Sequence, residues 1–508
     1  MALGSGPTGF AEARGIDILA QLYLVWSIGF AAQPFLDPVV DPKEYLDYCK
    51  NLLGHLVTTN SVENVRATVL LAICMQCFDD CAGAWNTLTV GVSMAMSMGL
   101  HKPRTSRRNC QNSKPDSLDD EERRIFWLGI YSFEKFLAFE MGRLSMIDDE
   151  ECYPPHVYDL ATHTEAGTSS KGRAFAVTVD LARIFSEIGR NSVVISRKEH
   201  GVVGPALQAV IAEKVEKVGE AQLLLTRWAE SVPDELRPTS DILIGSKICP
   251  FASYISMQYN NALVILSRNS LLISEEAISL AANTIAKGKP WDYIVRNGQS
   301  IAVNAARKML RLQVEVLDSK SNAIYPSLLV ALHALATLAI HIVTHPDSRI
   351  SAMDLHLLRM ASETIKEVYS RIRVDGLFDN LLQKIEGILL QATQASNRLG
   401  AQTIGEAILA TTGAQSNCWS AQAPEPNQTP DSRRGESEGQ MKDARPIPAV
   451  SAPPPFNQNY IVSDADFGYD TMGGMPIPGD KWSPSQSDGV GWDWSCFSQL
   501  LAEQFQPQ

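Results

Sequence analysis

The chain has 508 residues, 45% hydrophobic and 20% charged, an ordinary globular balance over a length too great for one compact core. Its 44 Lys and Arg against 57 Asp and Glu leave a net charge of −13, which excludes a uniformly basic nucleic-acid binder. Nine scattered cysteines exclude a disulfide scaffold and point to reduced thiols.

No basic n-region followed by an apolar stretch opens the chain, as a secretory leader would require. Ile16–Phe35 is apolar but broken by Asp17, Gln21, Ser27, Gln33 and Pro34, so it is not a membrane span. Val62–Phe78 places Val65, Val69, Ala72, Ile73 and Gln76 at helical spacing. Cys81–Leu100 does the same with Trp85, Leu88, Val92, Ala95, Met96 and Gly99, so the two form a helical hairpin across Asp79-Asp80. Ala82, Gly83 and Ala84 are small enough to let a neighbouring backbone approach, and Gly99 and Pro103 end the second helix. After a polar loop, Lys102–Asp119, the pattern resumes over Asp120–Met141, with Ser117 a weak cap and Asp119–Glu122 suited to a helix N-terminus.

Further helices are predicted at Ala174–Gly189, Leu207–Ser231, Pro250–Leu272, Gly298–Asp318, Ile324–Thr344, Ser351–Arg373 and Leu377–Arg398, with no fixed-period repeat among them. Ile324–Val343 contains Pro326, His333 and His341 and is read as core rather than membrane helix. The expected fold is therefore all-α: a multi-helix domain over residues 1–400, a disordered Pro/Ser/Gln-rich linker over 401–458 and an acidic-aromatic segment over 459–508.

Catalytic patterns are missing. A diphosphate-binding magnesium site on helices needs an aspartate-rich run such as DDxx[DE], as in terpene cyclases. Asp79-Asp80, Asp119-Asp120 and Asp148-Asp149 each lack the distal carboxylate and read as acidic helix entries. Cys74, Cys77 and Cys81 would share a face only if one helix ran through Asp80, and they read as small core thiols. There is no GxSxG, HExxH, phosphate loop or strand-led GxGxxG, and His101, His333 and His341 stand alone on apolar segments. No catalytic, metal or DNA-binding residue is assigned, and the chain is read as no enzyme.

Residues 60–160 are more specific. RATVLLAICMQCFDDCAGAWNTLTVGVSMAMSMGLHK is followed, after a polar loop, by DDEERRIFWLGIYSFEKFLAFEMGRLSMIDDEE. This resembles the fungal-specific transcription factor domain, the regulatory middle region of fungal zinc-cluster transcription factors. The family's A-W-x-x-x-G-x-A-x-x-x-A-x-x-L-G-L-H pattern falls on Ala84, Trp85, Ala95, Gly99, Leu100 and His101. Its E-x-R-R-R-x-F-W-x-x-Y-x-x-D-R pattern falls on Glu121, Arg123, Arg124, Phe126, Trp127 and Tyr131, with Glu134-Lys135 in place of Asp-Arg. Gly142, Arg143 and Ile147 match G-R-P-x-x-I, with Leu144 where proline is usual. Read from chemistry alone, these residues are structural, with effector contact the alternative: Trp85 and Trp127 bury aromatic surface, and Arg123, Arg124 and Arg143 pair with Glu134, Asp148 or Asp149.

Members of the family open with a six-cysteine cluster that binds two zinc ions and reads DNA. Here Cys49 is the first cysteine and no six are suitably spaced, so DNA binding is expected only indirectly or through an N-terminal module outside this sequence. Zinc is expected only with such a module, and no cofactor in these residues. Lys102, Arg104, Arg107, Arg108 and Lys114 form a basic loop, read as solvated or as a weak nuclear-localisation signal.

In the last segment Asp464, Asp466, Asp470, Asp480, Asp488, Asp493 and Glu503 face a single Lys481 between residues 464 and 503. Trp482, Trp492, Trp494, Phe497, Leu500, Leu501 and Phe505 are interleaved, with Trp494, Phe497, Leu501 and Phe505 on one helical face. Acidic charge keeps such aromatics in solvent, ready to fold into a coactivator groove. The resemblance thus implies a nuclear, pathway-specific regulator, with secondary metabolism among its pathways, that activates RNA polymerase II transcription. Its expected partners are coactivators, a zinc-cluster relative or a second copy, and no membrane. The alternative is a finger-less co-regulator that binds and inhibits a full-length relative.

Overall fold

The computed structural model describes residues 14–32, 41–102, 119–150, 170–199, 204–238, 250–318, 328–345 and 350–372, with isolated positions at 11, 152 and between 383 and 394. Among these residues there is no strand, and the all-α reading stands. The helices are α1 Ile16–Ala31, α2 Pro42–Asn51, α3 Leu53–Leu56, α4 Val62–Cys77, α5 Cys81–Ser97, α6 Asp120–Glu140, α7 Ser170–Glu199, α8 Pro205–Ser231, α9 Pro250–Ser267, α10 Glu275–Ala281, α11 Asp292–Arg296, α12 Gly298–Asp318, α13 Leu328–Thr344 and α14 Ser351–Ile372. No helix of the described residues is long and apolar enough to cross a membrane.

Local chemistry sets most helix ends. Ser61 caps α4 by accepting the amide of Asn64 at 3.1 Å, and Asp80 caps α5 by accepting that of Gly83 at 2.9 Å. At α6 the cap is Asp119 rather than Ser117. Asp119 Oδ1 accepts the Glu122 amide at 2.7 Å and Glu122 Oε2 accepts the Asp119 amide at 3.2 Å, a reciprocal capping box. Between α4 and α5 the chain reverses through Asp79, whose φ of 62° is left-handed, so the two helices are separate. That break is why Cys74, Cys77 and Cys81 do not share one helix face as an unbroken helix would have required.

Helices α4 and α5 run antiparallel, with Asn60 at the entry of α4 donating to Ser97 at the exit of α5 (3.0 Å). Gly91 of α5 packs against α4, where a Cβ would stand 3.1 Å from Val69 Cγ2. The small run at the start of α5 packs inward differently: a Cβ on Gly83 would meet the Met75 side chain and the Asp80 carboxylate of its own cap.

Two main cores result. The first joins α1–α9 and is rich in aromatics: Tyr23 lies 4.9 Å from Tyr45, Phe139 stacks on Phe185 at 4.2 Å, and Trp228 lies 5.9 Å from Tyr259. The second joins α9, α12, α13 and α14 through Ala, Val, Leu, Ile and Met side chains. Its α13 is buried nearly all round, which accounts for its membrane-like run of apolar residues. A bidentate ion pair, Arg307 Nε and Nη2 to Asp354 Oδ1 and Oδ2 at 2.8 and 2.7 Å, ties α12 to α14.

Candidate functional site

The motif residues converge where α5, α6 and the turn after α6 meet. Gly99 (φ 68°) and Gly142 (φ 63°) both sit one residue beyond a helix C-cap, Met98 or Met141, in the left-handed region that glycine adopts without strain. Around Gly99, the Leu100 amide returns to Ala95 O at 3.0 Å and the Gly99 amide to Met96 O at 2.9 Å. Around Gly142 the same pair recurs: Arg143 amide to Ala138 O at 2.8 Å and Gly142 amide to Phe139 O at 3.2 Å. Both are Schellman motifs, which satisfy helix-end carbonyls and swing the next side chain back over the helix.

The first motif turns Leu100 into the core and sets His101 against Trp127, ring centroids 5.7 Å apart. Arg123 then donates to the exposed carbonyl of the first turn, Nη2 to Gly99 O at 3.0 Å. Trp127 is 0% exposed and Trp85 is 7%, and the Arg143 guanidinium lies over the Trp85 ring at 5.5 Å. Arg124 grips Glu121 through two bonds of 2.9 and 2.7 Å. The arginines thus take partners other than those expected, and a different set of cations meets Glu134 and Asp149.

Glu134 and Lys135, the pair that stands for Asp-Arg, are 0% and 1% exposed. Glu134 accepts the Met146 amide and the Ser145 hydroxyl, both at 2.8 Å. Lys135 Nζ donates to Ser145 Oγ at 2.6 Å and Ile147 O at 2.7 Å, and pairs with Asp149 Oδ1 at 3.1 Å. Asp149 also accepts the Tyr131 hydroxyl (2.9 Å), the Ser186 hydroxyl (2.7 Å) and Arg190 Nη2 (2.8 Å). Burial pushes the Glu134 carboxyl up, with Lys135 and its two donors opposing. Burial also works against ionised Asp149, yet Ser186, Lys135 and Tyr131 together hold it below the usual carboxylate range.

This network straps residues 142–149 onto α6 and α7. Ser145, Ser186 and Arg190 were not visible as members from sequence, because Ser186 and Arg190 reach Asp149 from 37 and 41 residues away. The Asp148-Asp149 doublet is the available sequence signal, and its Asp149 carboxylate serves the strap rather than a helix entry.

The arrangement offers no reactive group. Each buried charge of the strap is saturated with structural partners, and no group of three His, Cys, Asp or Glu that could hold a metal occurs among the described residues. Cys49, Cys74, Cys77, Cys81 and Cys152 form no disulfide, and burial pushes Cys49 and Cys77 up to about 12 and Cys74 higher still. His333 is buried with Nδ1 3.1 Å from Asn261 Oδ1, and burial lowers its pKa well below the ordinary value. His341, beside His345, is lowered to about 4 by burial and by that neighbour. Trp482, Trp492, Trp494, Phe497, Leu500, Leu501 and Phe505 lie outside the described residues, as do Arg104, Arg107, Arg108 and Lys114.

Residues 20–204 match the fungal specific transcription factor domain. Among curated proteins, an uncharacterized transcriptional regulatory protein of Schizosaccharomyces pombe is 22% identical over 305 residues, 58% of this chain and 37% of the relative. Transcription factor FBD3 of Gibberella moniliformis is 23% identical over 283 residues, 54% of this chain and 35% of the relative. An ABC-transporter-regulating transcription factor of Aspergillus oryzae is 20% identical over 346 residues, 65% of this chain and 36% of the relative. The matched stretch therefore spans little more than a third of each of these relatives, and no solved structure matches the chain. These relatives are transcription factors and regulators, not enzymes, which agrees with a site built for packing rather than reaction. Through residues 20–204 the chain is thus similar to the fungal specific transcription factor domain.

Proposed function

We propose that the chain is a transcription regulator that works in the nucleus, with the helical body as its regulatory part and residues 459–508 as its activating part. The match over residues 20–204 carries this reading, because the matched span includes the buried motif residues that organise the first core. The acidic-aromatic composition of the last segment supports activation of RNA polymerase II transcription through a coactivator groove. Its targets are a pathway-specific set of genes, with secondary metabolism and export the first classes to examine, the latter because the A. oryzae relative is named for regulating ABC transporters.

The test is to tether the whole chain to a foreign DNA-binding domain upstream of a reporter in a fungal cell. Reporter transcription should rise. The triple change Trp492→Ala, Trp494→Ala, Phe497→Ala should return it to the level of the foreign domain alone. An intact fusion that leaves the reporter unchanged would sink the activating role, and one that lowers it would favour an inhibitor.

A further inference from the structure

A cavity of about 220 Å³ lies between the C-terminal half of α6, residues 143–148 and the middle of α7. Its apolar wall is the Phe139–Phe185 stack, continued by Ala138, Met146 and Ile147. Lys135, Arg143 and Arg190 reach it, against one carboxylate, Asp148. Lys135 is committed to the strap, whereas Arg190 touches Asp149 through Nη2 with its side chain 54% exposed. Arg143 rests on the Trp85 ring, with no carboxylate paired to it among the described residues.

Gly189, in the middle of α7, also lines this cavity. A Cβ there would meet no atom of the described residues within 4 Å, and the backbone does not need glycine's left-handed freedom. A glycine inside a helix is destabilising relative to alanine, so this one weakens α7 while keeping the cavity wall recessed.

We propose that the cavity binds a compact aromatic monocarboxylic acid, its ring against the Phe139–Phe185 stack and its carboxylate between Arg143 and Arg190. A cavity of about 150 Å³ accommodates benzene, so the space here suffices for a ring with a small acidic group. Apolar walls with a few convergent polar groups are what small-molecule sites share. The Asp148 carboxylate on the lining opposes a second negative charge, which selects a monoanion over a dianion. An occupant would bridge the strapped segment to α7, adding a ligand contact to a junction now made by Asp149.

The test is direct titration of the purified full chain, followed by tryptophan fluorescence and thermal unfolding at constant ionic strength, which reads binding independently of any effect on transcription. Sodium benzoate and phenylacetate are the probes, with benzyl alcohol, benzylamine and succinate as controls. Saturable binding of the two monocarboxylates with a raised Tm is expected, and each control should bind at least about tenfold more weakly. Arg143→Gln should weaken benzoate at least about tenfold through loss of a charge-assisted contact. Gly189→Met, which fills the cavity from a helical position, should abolish binding in a chain that still folds, and it decides the matter if the arginine variant does not fold. No saturable response, an equal response to benzyl alcohol, or unchanged affinity in Gly189→Met would overturn the proposal.

Discussion

The two main cores are made of the same element, the α-helix, yet they are specified in different ways. The first is held by directional contacts: aromatic stacks, two glycine-terminated turns and a saturated charge network around Lys135 and Asp149. The hydrophobic members of the second are all aliphatic or methionine, and among the described residues it is clamped by the Arg307–Asp354 ion pair and by the buried contact of His333 with Asn261. Apolar side chains of similar volume replace one another at small cost, whereas a left-handed glycine or a buried cation between carboxylates has few substitutes. The recognisable motif lies in the first core, and the domain match at residues 20–204 ends before the second core and before α8 and α9, which complete the first.

The largest test of this contrast is Lys135→Met. It removes the buried cation that faces Glu134 and Asp149, leaving fully buried Glu134 only the Met146 amide and the Ser145 hydroxyl, and should cost about 3–5 kcal/mol, read as a fall in the urea midpoint. Arg307→Met strands a single carboxylate and should cost less. Equal losses would break the contrast.

Next in size is the pH response of Asp79, buried at the α4–α5 reversal with its carboxyl pushed up to about 7, chiefly by burial and also by Glu140 and Asp80, while the Leu328 amide opposes. The folded chain retains that proton where the unfolded chain has lost it. Stability should therefore fall as pH rises from about 4 to about 7, by no more than about 4 kcal/mol. Asp79→Asn, which suits the same left-handed backbone, should remove that slope in denaturation curves taken across this window.

Smaller effects come from the glycines. Gly99→Ala and Gly142→Ala should each cost about 1–2 kcal/mol, since alanine pays the left-handed strain. Gly189→Ala should instead stabilise by about 0.5–1 kcal/mol, because α7 has room for the methyl group. Thermal unfolding of the three variants would show whether the sign follows backbone conformation, as claimed.

Much of the fold is legible because helices write their period into the sequence. The predicted boundaries at Val62, Cys81, Asp120, Pro250, Gly298 and Ser351 coincide with observed starts. Short helices such as Pro42–Asn51 and Asp292–Arg296 escaped, since fewer than three turns carry little periodic signal. The site was legible only in part. Trp85, Gly99, Trp127 and Gly142 stood out by type and order, but the meeting of Lys135, Asp149, Ser186 and Arg190 depends on how α6 and α7 pack, which local spacing does not encode. Similarly, the turn after Gly142 places Arg143 over Trp85 rather than against the carboxylates that its spacing suggests.

Helix α9 gives Ile255, Tyr259, Ala262, Ile265 and Leu266 to the first core and Val264 to the second. It also sends Gln258 Nε2 to Glu140 Oε1 at 2.8 Å, while Gln76 holds the other oxygen at 2.9 Å. It is a party wall, and the span marked by kinship is therefore shorter than the span that must fold together. A fragment cut after residue 204 would open the first core along one side and leave Glu140 short of a donor. Any shortened version meant for purification or partner screening should keep the chain through α14.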